Sequence, residues 1–208
     1  MTRVDKILKY ADLSGKGIEV APYFNPAAPK RSGRDILIVD VFDTDTLRAG
    51  AKKDSMIPDS RIEEIEEVDL VGDASRVGEV IEAAGLSGQI DYIVSSHNVE
   101  HLPNPILFLQ GVHHALKPGG ILSMAVPDCR SSFDHFRFPT RLADWLAAYH
   151  DDRRQPSPEI IFDGKVNKAM FIRDGKAGPG CDISADDPAG FQPKKNLLKA
   201  YEEYKTRK

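Results

Sequence analysis

IDYIVSSHNVEHLPNPILFLQGVHHALKPGGILSMAVPD, residues 90–128, reads as strand, turn, helix, tight stop and strand. Residues 90–94 are almost all β-favouring, and Ser95 and Ser96 end the run in small polar residues, as a buried strand does where it empties into a site. Phe108, Leu109, Val112, Ala115 and Leu116 then recur at helical spacing, with Pro105 suited to the first turn and Lys117-Pro118-Gly119-Gly120 as the stop. Residues 121–126 show little alternation. A strand apolar on both faces belongs to a parallel sheet covered by helices on each side.

The preceding chain repeats this grammar. Val4, Ile7, Leu8 and Ala11 fit one face of a short opening helix closed by Ser14-Gly15, and residues 17–20 form a first strand that runs into the loop APYFNPAAPKRSG. Residues 35–39 are a second apolar strand ending at Asp40. The acid-rich RIEEIEE reads as a solvated segment, and residues 68–71 form a third strand closed by Gly72-Asp73. Val77, Val80, Ile81 and Ala84 then mark a helix face, and residues 85–88 turn the chain into the quoted stretch. Strands alternating with helices predict an α/β protein with a doubly wound, mostly parallel sheet.

Beyond Asp128 the alternation fails. Leu142, Trp145, Leu146 and Tyr149 predict one amphipathic helix behind Pro139, with Trp145 as core packing. From Arg153 the chain is rich in Pro, Gly, Lys and Asp; residues 160–162 and 166–172 flank Asp163-Gly164 as a hairpin would, and residues 175–193 read as loop or disorder. The expected organisation is a main domain over residues 1–152 and an irregular extension, 153–208, packed on it.

The 208 residues suffice for one α/β domain with a modest appendage. A net charge of −4 with mixed signs gives no basic stripe to steer the chain to nucleic acid, and no run of about 18 apolar residues suggests a membrane span. The start, MTRVDKILKYADL, lacks the apolar core of a signal peptide. The two cysteines, Cys129 and Cys181, have no metal or disulfide-framework spacing, so a reducing cytoplasm is the expected compartment. Oligomeric state is left open.

Three acids sit where predicted strands finish: Glu19 after the first, Asp40 after the second and Asp73 after the third. In an open parallel sheet the ligand lies beyond the carboxyl ends of the strands, so the three acids together suggest one crevice, although each alone is equally explained as a cap. At these residues the chain resembles the class I S-adenosylmethionine-dependent methyltransferases, in particular small methyltransferase-domain proteins with an HxxEHL segment after the fourth strand. The resemblance rests on GIEVAPYFNP, LIVD, VGDA, DYIVSSHNVEHL and LKPGGILSMAVPD in that order, and on the 21-residue step from Glu19 to Asp40.

That resemblance implies a Rossmann-like fold, S-adenosylmethionine as cofactor and a small-molecule methyl acceptor. Such a cofactor carries a sulfonium, an ammonium, a ribose diol and an adenine amine but no phosphate, which suits carboxylate acceptors and close backbone. The family's pattern puts Asp40 on the ribose hydroxyls, Asp73 near the adenine amine, Glu19 in ordering the first loop, Ala21 and Asn25 in that loop, and Ser96 beside the methionine moiety. His97, following Ser96, is a general base or merely orients the acceptor, and Asp128, Arg130, Phe133 and Asp134 form the acceptor side. The first loop departs from the glycine-rich form, with Pro22 and Pro26 fixing its shape. The sixth strand and antiparallel seventh usual in the family are not evident, so the C-terminal strands are expected to be missing or remodelled. A methyltransferase-like binding module without catalysis is therefore the alternative.

His97-Asn98-Val99-Glu100-His101 also matches HxxEH, a zinc-protease signature that needs both histidines on one stable helix. Leu102-Pro103-Asn104-Pro105 interrupts any such helix, which argues against the metalloprotease. No metal is expected.

Overall fold

The computed structural model describes residues 1–173, 176–178, 190–193 and 197–207. In chain order the first part holds α1 (Arg3–Ile7), β1 (Gly17–Val20), β2 (Ile36–Asp40), α2 (Thr44–Ala51), α3 (Asp59–Ile62), β3 (Leu70–Val71), α4 (Val77–Ala83), β4 (Ile90–Ser96), α5 (Pro105–Ala115) and β5 (Leu116–Ala125). It is followed by α6 (Leu142–His150), α7 (Pro158–Val166), β6 (Ala169–Arg173), β7 (Lys176–Gly178), β8 (Phe191–Pro193) and α8 (Leu197–Lys205). The chain divides into two compact units, Met1–Val126 and Pro127–Lys208. The division falls just after β5.

The first unit is a five-stranded sheet in the order β3-β2-β1-β4-β5, with every neighbouring pair parallel. The chain builds outward from β1 through β2 to β3, then returns to lay β4 on the other side of β1. The strand order reverses between β1 and β4, and at such a switch point a crevice opens beyond the carboxyl ends. This is the doubly wound α/β arrangement, with a shortened sheet.

Alternation along β1 divides the core. Ile18 and Val20 join Val39, Ile93, Val77 and Ile81 of α4 and Phe108 and Val112 of α5 in one cluster. Each of these buried side chains contributes roughly 1.5–3 kcal/mol on leaving water. On a second cluster, Ile7 and Leu8 of the opening helix pack with Ala27, Ala28, Ile36, Tyr92 and Val94. Gly17 is required there, because a Cβ would meet the Tyr92 ring at 2.2 Å.

Asn104 caps α5 by accepting from Leu107 N at 3.2 Å, and Pro105 takes the first helical position, where its missing N–H costs nothing. The predicted stop at residues 117–120 is not a loop. Leu116 already pairs with Ile90, Ile121 pairs with Tyr92, and the extra residues form an irregularity in β5 tied down by Lys117 Nζ, 2.8 Å from Asp91 Oδ2.

RIEEIEE is not simply solvated. Ile62 and Ile65 are buried in a third cluster with Ala51 and Ile57, against which Tyr23 and Phe24 pack. Its acids bind the first loop: Glu66 accepts from Lys30 N at 2.8 Å and Arg31 N at 3.3 Å. Lys30 Nζ meanwhile lies 2.6 Å from Asp69.

In the second unit, β6 pairs antiparallel with β7 on one side and β8 on the other. The hairpin expected around Asp163-Gly164 is replaced by α7: Ser157 caps it by accepting from Ile160 N at 3.3 Å, and Pro158 opens it. The stretch expected to be loop, 175–193, contains β7 and β8; apart from Gly190, the rest of it, with Cys181, lies outside the described residues. The stripe Leu142, Leu146 and Tyr149 on α6 is exposed, Trp145 is half-buried, and Ala148 is the residue that α6 buries.

Candidate functional site at the carboxyl ends of the strands

Glu19 is the third residue of β1, not the residue after it, and alternation turns its side chain away from Ile18 and Val20. It is 1% exposed. Its two oxygens accept from Ala27 N at 2.7 Å and Ala28 N at 2.9 Å, which folds the loop back over the strand. Burial pushes the Glu19 carboxyl above the ordinary glutamate value, opposed by these two N–H groups and by the nearby charge of Arg3.

Above Glu19 the loop is strained. Ala21 and Tyr23 have φ of 51° and 49°, a left-handed region that costs an L-residue of order 1 kcal/mol or more. Ala21 N donates to Val39 O at 2.8 Å, holding the loop's start against β2. Asn25 Oδ1 accepts from Arg61 Nη2 at 3.2 Å, and Arg61 also lies over the Phe24 ring.

Asp40, the last residue of β2, is 5% exposed and makes no ion pair among the described residues. Phe42 N donates to its Oδ1 at 3.3 Å, and desolvation holds its carboxyl above the ordinary aspartate value. Beside it, exposed apolar side chains gather: Val41, Phe42, and Val71, which is the register partner of Asp40 on β3. Asp73 Oδ1 caps the following helical turn by accepting from Ser75 N at 2.8 Å. The cap accounts for one oxygen of this carboxylate.

At the end of β4, Ser96 Oγ accepts from Arg3 Nη2 at 2.7 Å. Sequence reasoning missed Arg3, which shares the opening helix with Lys6 and carries no local signal of its contact with Ser96. His97 follows with φ of 54°, its N–H donating to Ala125 O at 2.9 Å. Its side chain is exposed, with Nδ1 3.4 Å from Glu100 Oε1. Val99–His101 is a single 3₁₀ turn, so His97 and His101 do not share a face of an α-helix as the zinc signature requires. Among the described residues no three or more His, Cys, Asp or Glu side chains gather as a metal site.

The acceptor candidates lie in the second unit, in hydrogen-bonded pairs. Arg130 donates from Nε and Nη2 to Asp128, whose carboxyl is held down at about 2 by that guanidinium. Asp134 accepts from Arg137 Nη1 at 3.1 Å, and Arg137 also binds Asp163. Lys168 Nζ lies 5.0 Å above the Phe133 ring.

Parallel pairing therefore delivers a buried aspartate, a capped aspartate, a strained loop and an Arg-bound serine to one edge of one sheet. Residues 14–156, more than half of the chain, match the family model of a methyltransferase domain.

The chain belongs to the methyltransferase-domain family.

Similar solved structures include a TehB-like S-adenosylmethionine-dependent methyltransferase from Corynebacterium glutamicum, 17% identical over 71% of this chain and 70% of that one, with a TM-score of 0.40. A candidate methyltransferase from Bacillus halodurans is 16% identical over 84% and 92% of the two chains, with a TM-score of 0.44. A candidate S-adenosyl-L-methionine-dependent methyltransferase from Methanococcus maripaludis is 17% identical over 58% of this chain, with a TM-score of 0.39. The chain aligns with 52% of that protein's length. No curated protein is similar enough in sequence to match it. Among the described residues no helix is long and apolar enough to cross a membrane.

S-adenosylmethionine is the cofactor of this methyltransferase domain. The donor set fits such a group. Asp40 is a buried carboxylate that makes no ion pair among the described residues and has exposed apolar neighbours, a setting suited to a ribose diol next to a flat base rather than to a metal or a polyphosphate.

Proposed function

We propose that the chain transfers a methyl group from S-adenosylmethionine to a small-molecule acceptor, with the cofactor laid along the carboxyl ends of β1 to β4. Asp40 accepts both ribose hydroxyls, Asp73 uses its free oxygen near the adenine amine, and Val41, Phe42 and Val71 flank the base. Glu19 acts through the first loop, holding Ala21 and Asn25 in place, and Ser96 lies beside the methionine end. The bound cofactor supplies an electrophilic methyl on a good leaving group, so the protein's share of the work is chiefly in-line placement. His97 takes the proton when the acceptor is a hydroxyl or similar group, with Glu100 at its other side. Asp128, Arg130, Phe133 and Asp134 are the acceptor residues of this reading.

The observation that carries the proposal is Asp40, nearly buried, without an ion pair among the described residues and next to exposed apolar side chains at the end of β2. Calorimetric titration with S-adenosylmethionine tests it. The wild type binds, and Asp40→Ala weakens binding by about tenfold or more, the loss of two charge-assisted hydrogen bonds. Absence of binding by the wild type, or equal binding by the variant, overturns it. Turnover of His97→Ala at the wild-type rate would remove the base from the mechanism.

A binding module without turnover is the second reading. It is favoured by the pairing of Asp128 with Arg130 and of Asp134 with Arg137, which leaves both carboxylates engaged with arginines. Cofactor binding without methyl transfer to any member of an acceptor pool selects it.

A further inference from the structure

The apolar stripe of α6 is turned to water. The helix buries Ala148, half-buries Asp144 and Trp145, and leaves Leu142 67%, Leu146 52% and Tyr149 41% exposed. With about 3.6 residues per turn, these three share one side of the helix with the exposed Ala143 and His150, opposite Ala148 and Asp144. That side holds no Lys, Arg, Asp or Glu, so it offers nothing to a charged partner. Phe138, 93% exposed just before the helix, extends the apolar area. Short helices gain most of their stability by packing an apolar face, and this one leaves its leucines uncovered.

The face is complementary to itself. When α6 is laid antiparallel to a copy of itself about a two-fold through Leu146, helical periodicity sets Leu146 on its own counterpart, Leu142 on the copy's Tyr149 and Ala143 on the copy's His150. The charges at the two ends agree with that direction. Exposed Arg141 opens the helix and exposed Asp151 follows it, so antiparallel packing brings each to the rim beside the other's opposite charge, with the helix dipoles opposed. A lipid surface is a poorer match, because an interfacial helix lines its polar face with Lys and Arg and the nine residues of α6 contain neither.

We propose that α6 is a homodimer interface, its occupant the α6 of a second copy of this chain. The contact is isologous, so it closes at two copies. One nine-residue helix from each copy is at the small end of specific interfaces, which sets the dissociation constant on the order of 10 µM.

Sedimentation equilibrium of the full chain over about 1 to 200 µM, a range that brackets that constant, tests the proposal. The wild-type mass rises from 23.0 kDa toward twice that value. Leu146→Glu sets two like charges against each other at the two-fold and weakens association by about a hundredfold or more, while melting as the dilute wild type does. A wild type that stays at 23.0 kDa throughout, or a dimer that Leu146→Glu leaves intact, overturns the interface. Should Leu146→Glu fail to fold, Leu146→Cys decides, in a chain carrying Cys129→Ser and Cys181→Ser. Mild oxidation then yields a covalent dimer, whereas Met56→Cys in the same background, at a position 84% exposed, yields none. Equal cross-linking at the two positions is fatal. Co-sedimentation of a monomeric wild type with vesicles of phosphatidylcholine and phosphatidylserine would give the face to a membrane surface instead and overturn the homodimer.

Discussion

Glu19 and Asp40 are both buried carboxylates on neighbouring strands, and they are satisfied differently. Glu19 accepts two short backbone hydrogen bonds, whereas Asp40 accepts a longer one, 3.3 Å, from Phe42 N, with the Val41 N–H also turned to its carboxylate. Removing Glu19 therefore strands two loop N–H groups, and Glu19→Ala is expected to cost about 1–3 kcal/mol in urea unfolding. Asp40 should behave oppositely. Its folded carboxyl titrates above the ordinary aspartate value through desolvation, so the folded state holds its proton more tightly than the unfolded one. The associated stability is complete below the ordinary aspartate range and is lost as pH rises through the folded value. Asp40→Asn is thus expected to be more stable than wild type by about 1 kcal/mol at neutral pH, with the difference vanishing in acid. Unfolding curves at the two pH values check this. A variant less stable at neutral pH would show that Asp40 serves the fold rather than a ligand.

At the scale of elements, the sheet is legible because residues 36–39, 90–94 and 121–126 are largely apolar or β-favouring runs, and Asp40 is legible because it ends one of them. Glu19 lies within β1 and not after it: Ile18 and Val20 face one cluster, and alternation turns the acid to the opposite face. RIEEIEE looked solvated by composition, yet the spacing of Ile62 and Ile65 held the signal of a buried face. The hairpin expected at Asp163-Gly164 is absent because Ser157-Pro158 starts a helix that runs through that pair, and the antiparallel pairing falls later, between β6 and β7. Arg3 had no local signal, because its partner is 93 positions away. One packing feature is likewise invisible in periodicity. Gly78 of α4 and Gly111 of α5 meet so closely that a Cβ on Gly111 would lie 2.4 Å from Gly78 N. Backbone cannot give way as a flexible side chain does, so Gly111→Ala should cost about 1–3 kcal/mol despite its better helix propensity. A melting temperature equal to or above wild type would mean the two helices can separate without loss.

At the scale of the whole molecule, the division into units separates two sets of candidates. Glu19, Ala21, Asn25, Asp40, Asp73, Ser96 and His97 all belong to Met1–Val126, and Asp128, Arg130, Phe133 and Asp134 to Pro127–Lys208. The first unit has its own sheet, with core clusters packed on the strands by α4 and α5 and by the opening helix. A chain ended after Val126 is therefore expected to fold cooperatively and to bind S-adenosylhomocysteine with an affinity within about threefold of the full chain, a difference of less than about 1 kcal/mol. It is expected to transfer no methyl group, having lost the acceptor residues. Paired calorimetry and turnover separate the alternatives: a shortened chain that folds but binds more than about tenfold more weakly would place part of the cofactor's contacts after Val126. One that both binds and turns over would remove Asp128, Arg130, Phe133 and Asp134 from the acceptor site.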